Sequence, residues 1–108
     1  MLSLKLRRYF ATLGARLAVR TEPKGTATTL SLRRDSRGVY FELVLPRLSR
    51  RNVEVLATEP RSKRLVLRLA RGGQETFVLV RTGTSPSLRA IDAAQVRELT
   101  GELPKLAA

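Results

Sequence analysis

Short runs in which every second residue is apolar follow one another through the middle of the chain. This two-residue period favours β-strands over helices. The clearest run has apolar side chains at every second position from Val39 to Leu45 and ends at Pro46. Proline stops a strand because it has no amide proton for the next rung of the ladder. The same period predicts strands over residues 26–33, 39–45, 53–58, 65–69 and 75–81.

Turn residues separate these runs, so the predicted strands follow one another closely. Residues 34–38 (RDSRG) and 59–63 (EPRSK) are typical of hairpin turns, and Gly72 with Gly73 allows the positive φ of a tight turn. We therefore predict an all-β fold, a small antiparallel β-sandwich or open barrel of about five strands.

The sequence after the last predicted strand has the signals of a short helix. Asp92 and Gln95 have the spacing of a capping box, and Ile91 with Val96 fits the hydrophobic staple around it. Gly101 is a residue type that commonly ends helices. We predict a short C-terminal helix over residues 92–100.

The first twenty residues differ from the rest, since they contain five basic residues and no acidic one. On a helical period Leu6, Phe10 and Leu13 fall on one side with basic residues on its flank, which predicts an N-terminal amphipathic helix through Arg20. A basic, acid-free amphipathic helix at the start of a chain is typical of a mitochondrial presequence. The run RYFAT also resembles a mitochondrial processing site, so we expect cleavage near Phe10.

This interpretation divides the chain into two parts. Residues 1–22 form a mitochondrial presequence or a docking helix, and residues 23–108 form a basic β-rich domain located in the mitochondrial matrix. Two other roles for the N-terminal helix are open at this point. It can stay uncleaved and dock the domain onto a partner protein, or it can lie on an anionic lipid surface.

The composition excludes most catalytic chemistry. The chain has no histidine, cysteine or tryptophan, and its net charge is +12. The missing residue types remove thiol nucleophiles, Cys/His zinc sites and every catalytic triad that needs an imidazole. We therefore expect a nonenzymatic protein with no cofactor, no metal and no small-molecule substrate.

The excess positive charge is mostly arginine and gathers in the predicted turns. Of the 21 basic residues, all but four are arginine, a side chain that binds phosphate oxygens through two parallel hydrogen bonds. In an up-and-down meander, alternate turns would place these cations at two opposite ends of the sheet. The predicted RNA- or phosphate-binding residues are Arg33, Arg34, Arg37, Arg61, Lys63 and Arg64 at one end, and Arg47, Arg50, Arg51 and Arg71 at the other.

From Val39 onward the order of signals resembles the α-crystallin domain of small heat-shock proteins and its co-chaperone relative, the CS domain. The similar pieces are a strand ending in Leu-Pro (VYFELVLP), a polar turn over residues 48–52, a Val-x-Val strand at 53–55, a Leu-x-Leu strand at 65–67 and the tail GELPKL. The chain departs from the family at Arg47, where a glycine is usual, and in the short stretch between Gly101 and Pro104. The resemblance implies a sandwich with an exposed groove for partners.

These observations favour a basic structural subunit of a large mitochondrial assembly. The mitochondrial ribosome is the expected host, because a small domain with this charge needs a polyanion nearby, and the expected partners are ribosomal RNA and neighbouring proteins. Only Tyr40 and Phe41 are aromatic near a cluster, so the sequence indicates backbone and shape recognition rather than base stacking. The alternatives are an accessory subunit of a respiratory-chain or ATP-synthase complex and a divergent small heat-shock-like chaperone.

Overall fold

A computed structural model describes residues 4–22, 28–46, 53–71 and 74–101. These residues form seven strands and two short helices. None of the helices in these ranges is long and apolar enough to span a bilayer. In chain order the elements are α1 (Leu4–Thr12), β1 (Leu17–Glu22), β2 (Thr29–Asp35), β3 (Gly38–Pro46), β4 (Val53–Glu59), β5 (Arg64–Arg71), β6 (Gln74–Arg81), β7 (Ser87–Ile91) and α2 (Ala93–Thr100).

The strands form two sheets. The first has the order β1-β3-β2, with β2 antiparallel to β3 and β1 parallel to it. The second is an antiparallel meander in the order β4-β5-β6-β7. The mostly β fold with a helix near each end is confirmed, but the prediction of an antiparallel β-sandwich or open barrel of about five strands is wrong, because the described residues form seven strands in two sheets.

The first missed strand is β1, which the helical period assigned to the N-terminal helix. The helix ends at Thr12, and Gly14 follows with a φ of 74°. That left-handed conformation is natural for glycine and breaks the helical path. Leu17 and Val19 then pair with the buried Phe41 and Leu43. A six-residue strand fits a helical period by chance, because two or three apolar residues match either template.

The second missed strand is β7, in a segment for which the sequence analysis predicted no strand. Its residues pair along β6 from Ser87 opposite Arg81 to Ile91 opposite Phe77. Polar and apolar residues alternate over only four positions, from Ser87 to Ala90, which is a weak strand signal. The hydrogen bonds offered by β6 stabilise the extended form, which is a tertiary effect.

Both sheets and α1 contribute to one core. The Phe10 and Phe41 rings lie 5.3 Å apart, tilted by 48°, and join α1 to β3. The buried members of this cluster are Leu6, Phe10, Leu13, Leu30, Phe41, Leu43, Leu45, Leu65, Leu67, Leu69, Val78 and Val80. The helix interpreted as a presequence therefore supplies three completely buried side chains to the folded core.

A second cluster lies on the other face of the meander, where α2 covers it. Val66, Ile91 and Val96 are its buried members, with Phe77 and Leu79 packed against them. The predicted helix is confirmed. Asp92 Oδ1 accepts from the Gln95 amide at 2.8 Å and the Gln95 side chain accepts from the Asp92 amide at 3.1 Å. Gly101 ends the helix with a φ of 72°.

Several predicted features lie outside the described residues. They include most of the linker after β1, the turn over 48–52, the Gly72 and Gly73 turn, and the tail from residue 102, which carries part of the heat-shock resemblance.

Candidate polyanion-binding end

Four connecting segments meet at one end of the molecule. Thr82 holds three of them together, since its side chain is buried and its Oγ1 donates to the Leu13 carbonyl at 3.0 Å and the Lys63 carbonyl at 3.3 Å. The Thr82 amide also donates to the Lys63 carbonyl at 2.8 Å. Arg37 of the β2–β3 turn lines one pocket with Gly83. We call the surface made by segments 13–16, 34–38, 60–63 and 82–86 the basic end.

Four of the six cations predicted for this end have no ion-pair partner among the described residues. They reach the basic end from two different sheets, because Arg34 and Arg37 belong to the β2–β3 hairpin while Arg61 and Lys63 belong to the β4–β5 turn. All four side chains are exposed. Arg37 and Lys63 both approach Gly83, which brings the two groups together.

The other two predicted cations are neutralised by acidic neighbours. Arg33 Nε lies 3.4 Å from Glu42 Oε1, and Arg20 Nε lies 3.9 Å from Oε2 of the same carboxylate. Arg64 donates to both carboxylate oxygens of Glu59, at 2.9 and 3.0 Å. A hydrogen bond from Ser62 and the pair with Arg64 lower the pKa of Glu59. Arg33 and Arg64 therefore contribute less free positive charge than their positions in the sequence suggested.

One cation of the basic end was missed by sequence reasoning. Arg16 was assigned to the flank of a helix, but it follows Gly14 into the turn before β1. Its guanidinium carbon lies 4.4 Å from the centroid of the Tyr40 ring, and its Nη2 lies 3.4 Å from Asp35 Oδ1. The signal that could have found it is Gly14, a residue that commonly ends helices, followed by alternation from Leu17.

Asp35 is an ionised carboxylate that fixes this part of the surface. Its Oδ1 accepts from the Arg37 amide at 2.8 Å. That backbone hydrogen bond, with the charge of Arg16, lowers the pKa of Asp35 below its usual value. Asp35 therefore orients Arg16 and the β2–β3 turn at neutral pH.

Two surface pockets flank Arg16. One, of about 230 Å³, lies between β3 and three of the connecting segments, 13–16, 34–38 and 82–86, and the other, of about 210 Å³, lies on the outer face of the first sheet beside Asp35 and Ala18. Arg16, Arg37 and Tyr40 line both pockets. The three side chains thus form the wall between them.

The second predicted cluster is mostly beyond the described part of the chain. Arg47, Arg50 and Arg51 lie outside the described residues. The backbone of Arg71 ends β5 at the opposite end of that strand from Arg64. Nothing described here joins these four residues into a site.

Two further acidic side chains, Glu54 and Glu75, pair with Arg68 away from the basic end. Arg68 lies on the outer face of the meander and donates to Glu75 and to Glu54, the latter at 3.2 Å. Its hydrogen bond with Glu75 raises the pKa of Arg68. In the described ranges, no three acidic side chains come close enough to hold a metal ion.

Comparison with known proteins adds no relative. No family model, curated protein or solved structure matches the chain. The resemblance to the α-crystallin domain therefore stays a prediction, and the basic end is the feature of the protein that points to a function.

Proposed function

We propose that this chain is a nonenzymatic, basic structural subunit of a large ribonucleoprotein assembly and contacts the RNA backbone through its basic end. The observation that carries the proposal is that the β2–β3 turn, with Arg34 and Arg37, and the β4–β5 turn, with Arg61 and Lys63, meet beside Gly83. None of the four side chains has a salt-bridge partner among the described residues. A phosphate backbone is the ligand that such a cluster fits, because each neutralised phosphate releases counterions. Three of the four residues are arginines, and each guanidinium can bind two phosphate oxygens through two parallel hydrogen bonds.

The proposed host is the mitochondrial ribosome, with the protein in the matrix. The N-terminal segment supports this location, since Lys5, Arg7 and Arg8 are exposed on α1 as an import signal requires. Cleavage near Phe10 would remove two buried side chains from the core, so we propose that the helix is retained after import. N-terminal sequencing of the protein isolated from mitochondria tests this, and a mature chain starting after Phe10 would refute it.

The packing of α1 weighs against lipid as the main partner. A helix that lies on a membrane inserts its apolar face into the lipid. The apolar face of α1 holds Leu6 and Phe10, and Leu13 follows directly after the helix. All three are buried in the protein core. The exposed face carries the three basic residues of the helix with Ala11 and Thr12, and among the described side chains of the helix no large apolar one is exposed, which favours a polyanion over a bilayer.

The test compares two variants with the same net charge. One carries Arg34→Gln, Arg37→Gln, Arg61→Gln and Lys63→Gln, and the control carries Arg7→Gln, Arg8→Gln, Arg89→Gln and Arg97→Gln. Each variant removes four positive charges from exposed side chains. Binding to a structured RNA is measured at several salt concentrations by fluorescence anisotropy.

We expect the basic-end variant to bind RNA weakly, with an affinity that depends less on salt concentration than that of the wild type. The slope of log affinity against log salt should fall by about 0.7–0.9 for each phosphate contact removed. The control should keep most of the wild-type affinity and slope. Equal losses in the two variants would mean that net charge, not the basic end, determines binding, and the proposal would fail.

A further inference from the structure

The basic end contains an arginine over an aromatic ring, a contact that binding to a phosphate backbone does not require; we call it the Arg16–Tyr40 stack. The Arg16 guanidinium carbon lies 4.4 Å from the Tyr40 ring centroid, and Arg16 Nη2 lies 3.4 Å from Asp35 Oδ1. The Arg16 side chain is 42% exposed, so part of it stays accessible beside the ring. An arginine that only binds phosphate needs no aromatic ring beneath it.

The surroundings of this stack divide into two chemically different pockets. The pocket beside Asp35 offers the apolar surface of Leu17, Ala18 and the Tyr40 ring, with the Asp35 carboxylate at its edge and Arg37 at its wall. The pocket on the other side shares Arg37 and adds Gly83 and Thr82, whose hydroxyl is already bonded to two backbone carbonyls. Together the pockets complement a nucleotide, because one offers an apolar surface and a carboxylate to a planar base with N–H donors, and Arg37 between them offers a cation to its phosphate.

We infer that the Arg16–Tyr40 stack and its two pockets form a subsite for one unpaired nucleotide of RNA. The base lies against the stack in the pocket beside Asp35, because unpaired bases stack on aromatic rings and on arginine planes. Asp35 accepts a hydrogen bond from an N–H group at the edge of the base. Arg37 contacts the phosphate of the same nucleotide. The inference rests on the proposed function and adds to it a preference for unpaired over fully paired RNA.

Tyrosine fluorescence reports directly on this subsite. The chain has two tyrosines and no tryptophan, so a Tyr9→Phe variant leaves Tyr40 as the only strong emitter. This variant is titrated with a single-stranded RNA and with a duplex of the same sequence, and emission is corrected for absorption by RNA. We expect saturable quenching by the single strand. The duplex should bind, as seen by anisotropy, with little quenching because its bases are stacked inside the helix.

A charge-preserving variant separates stacking from electrostatics. Arg16→Lys keeps the positive charge but removes the plane, and it should weaken single-strand binding by about 5- to 150-fold, the range expected for one stacked base. Duplex binding should change by less than about twofold, since the charge is kept. Arg20→Lys is the matched control, because Arg20 lies in β1, which follows Arg16 directly, and pairs with Glu42 away from the two pockets. It should leave both affinities unchanged.

The possible results separate this inference from the function on which it rests. If both RNAs bind without quenching, or if Arg16→Lys affects them equally, the nucleotide subsite is refuted while backbone binding stands. If neither RNA binds, both proposals fail. A free nucleoside monophosphate that quenches Tyr40 with the affinity of the single strand would overturn RNA as the source of the nucleotide.

Discussion

Lys63 occupies a backbone conformation that non-glycine residues rarely adopt. It ends the turn between β4 and β5 with a φ of 56°, and its amide donates to the Pro60 carbonyl at 3.2 Å. The left-handed region costs an L-residue about 1–2 kcal/mol, because Cβ crowds the following carbonyl oxygen. Glycine would avoid this cost, so lysine at this position lowers the free energy of unfolding relative to glycine. A residue retained for the function of its charge would show such a loss of stability.

Two substitutions at this position separate conformation from charge. Lys63→Gly relieves the left-handed strain and Lys63→Ala retains it, while both remove the same charge. We expect the glycine variant to unfold at a higher denaturant concentration, with a free energy of unfolding about 1 kcal/mol above that of the alanine variant. The two should bind RNA equally weakly. Equal stability of the two would show that the turn relaxes to accommodate alanine.

Two adjacent arginines show that the pairing register of β2 with β3 decides which residues contribute free charge to the basic end. Arg33 lies opposite Tyr40 on the outer face of the first sheet, close to Glu42. Arg34 lies opposite Val39, and no acidic partner is found for it in the described residues. The sequence predicts Arg33 at the end of a strand and Arg34 in the turn that follows, but it does not say which one meets a carboxylate. That outcome is decided by the pairing of β2 with β3.

At the scale of the element, α1 is the part of the chain whose role the fold changes most. Phe10 is completely buried and contacts the ring of Phe41, while Arg7 on the same helix is exposed. The helix fills the core beside β3 instead of standing apart from it. Its loss would leave apolar surface on both sheets open to water.

Truncation of one side chain tests this role. Phe10→Ala should lower the free energy of unfolding by about 3–5 kcal/mol, the usual cost of removing a buried phenyl ring. Arg7→Ala, on the exposed face, should change it by about 0.5 kcal/mol or less. Urea unfolding followed by circular dichroism measures both. A Phe10→Ala protein as stable as the wild type would mean that α1 is a detachable segment, as a cleaved presequence requires.

The elements that the sequence predicted are those with strong local signals. Residues 39–45 and 65–69 alternate cleanly and form β3 and β5, and the capping box of Asp92 and Gln95 marks the start of α2. Strands β1 and β7 have only short, weak alternation. Each becomes a strand because a neighbour supplies hydrogen bonds, which so short a pattern does not specify.

For the whole molecule, the arrangement of ion pairs explains why one end is left basic. Asp35, Glu42, Glu54, Glu59 and Glu75 each have an arginine partner. Glu42, Glu54 and Glu75 form their pairs on the outer faces of the sheets. Among the described residues, no carboxylate lies within salt-bridge distance of Arg34, Arg61 or Lys63, and Arg37 has only the charge of nearby Asp35, which Arg16 shares. Like charges held together repel, so this end destabilises the folded state when no polyanion is present.

This repulsion predicts a stability that depends on salt in a particular way. At low salt, the variant with glutamine at positions 34, 37, 61 and 63 should melt at a higher temperature than the wild type, because four clustered charges are gone. The control with glutamine at positions 7, 8, 89 and 97 should gain less, since its cations are spread over α1, β7 and α2. Salt screens the interaction between exposed charges that are farther apart than about 10 Å at 0.1 M, and farther apart than about 3 Å at 1 M. The difference in melting temperature between the two variants should therefore disappear as salt rises. Differential scanning calorimetry from low to high salt measures this. A basic-end variant that melts below the wild type at low salt would mean that these cations stabilise the fold, and their proposed role in binding would lose its physical basis.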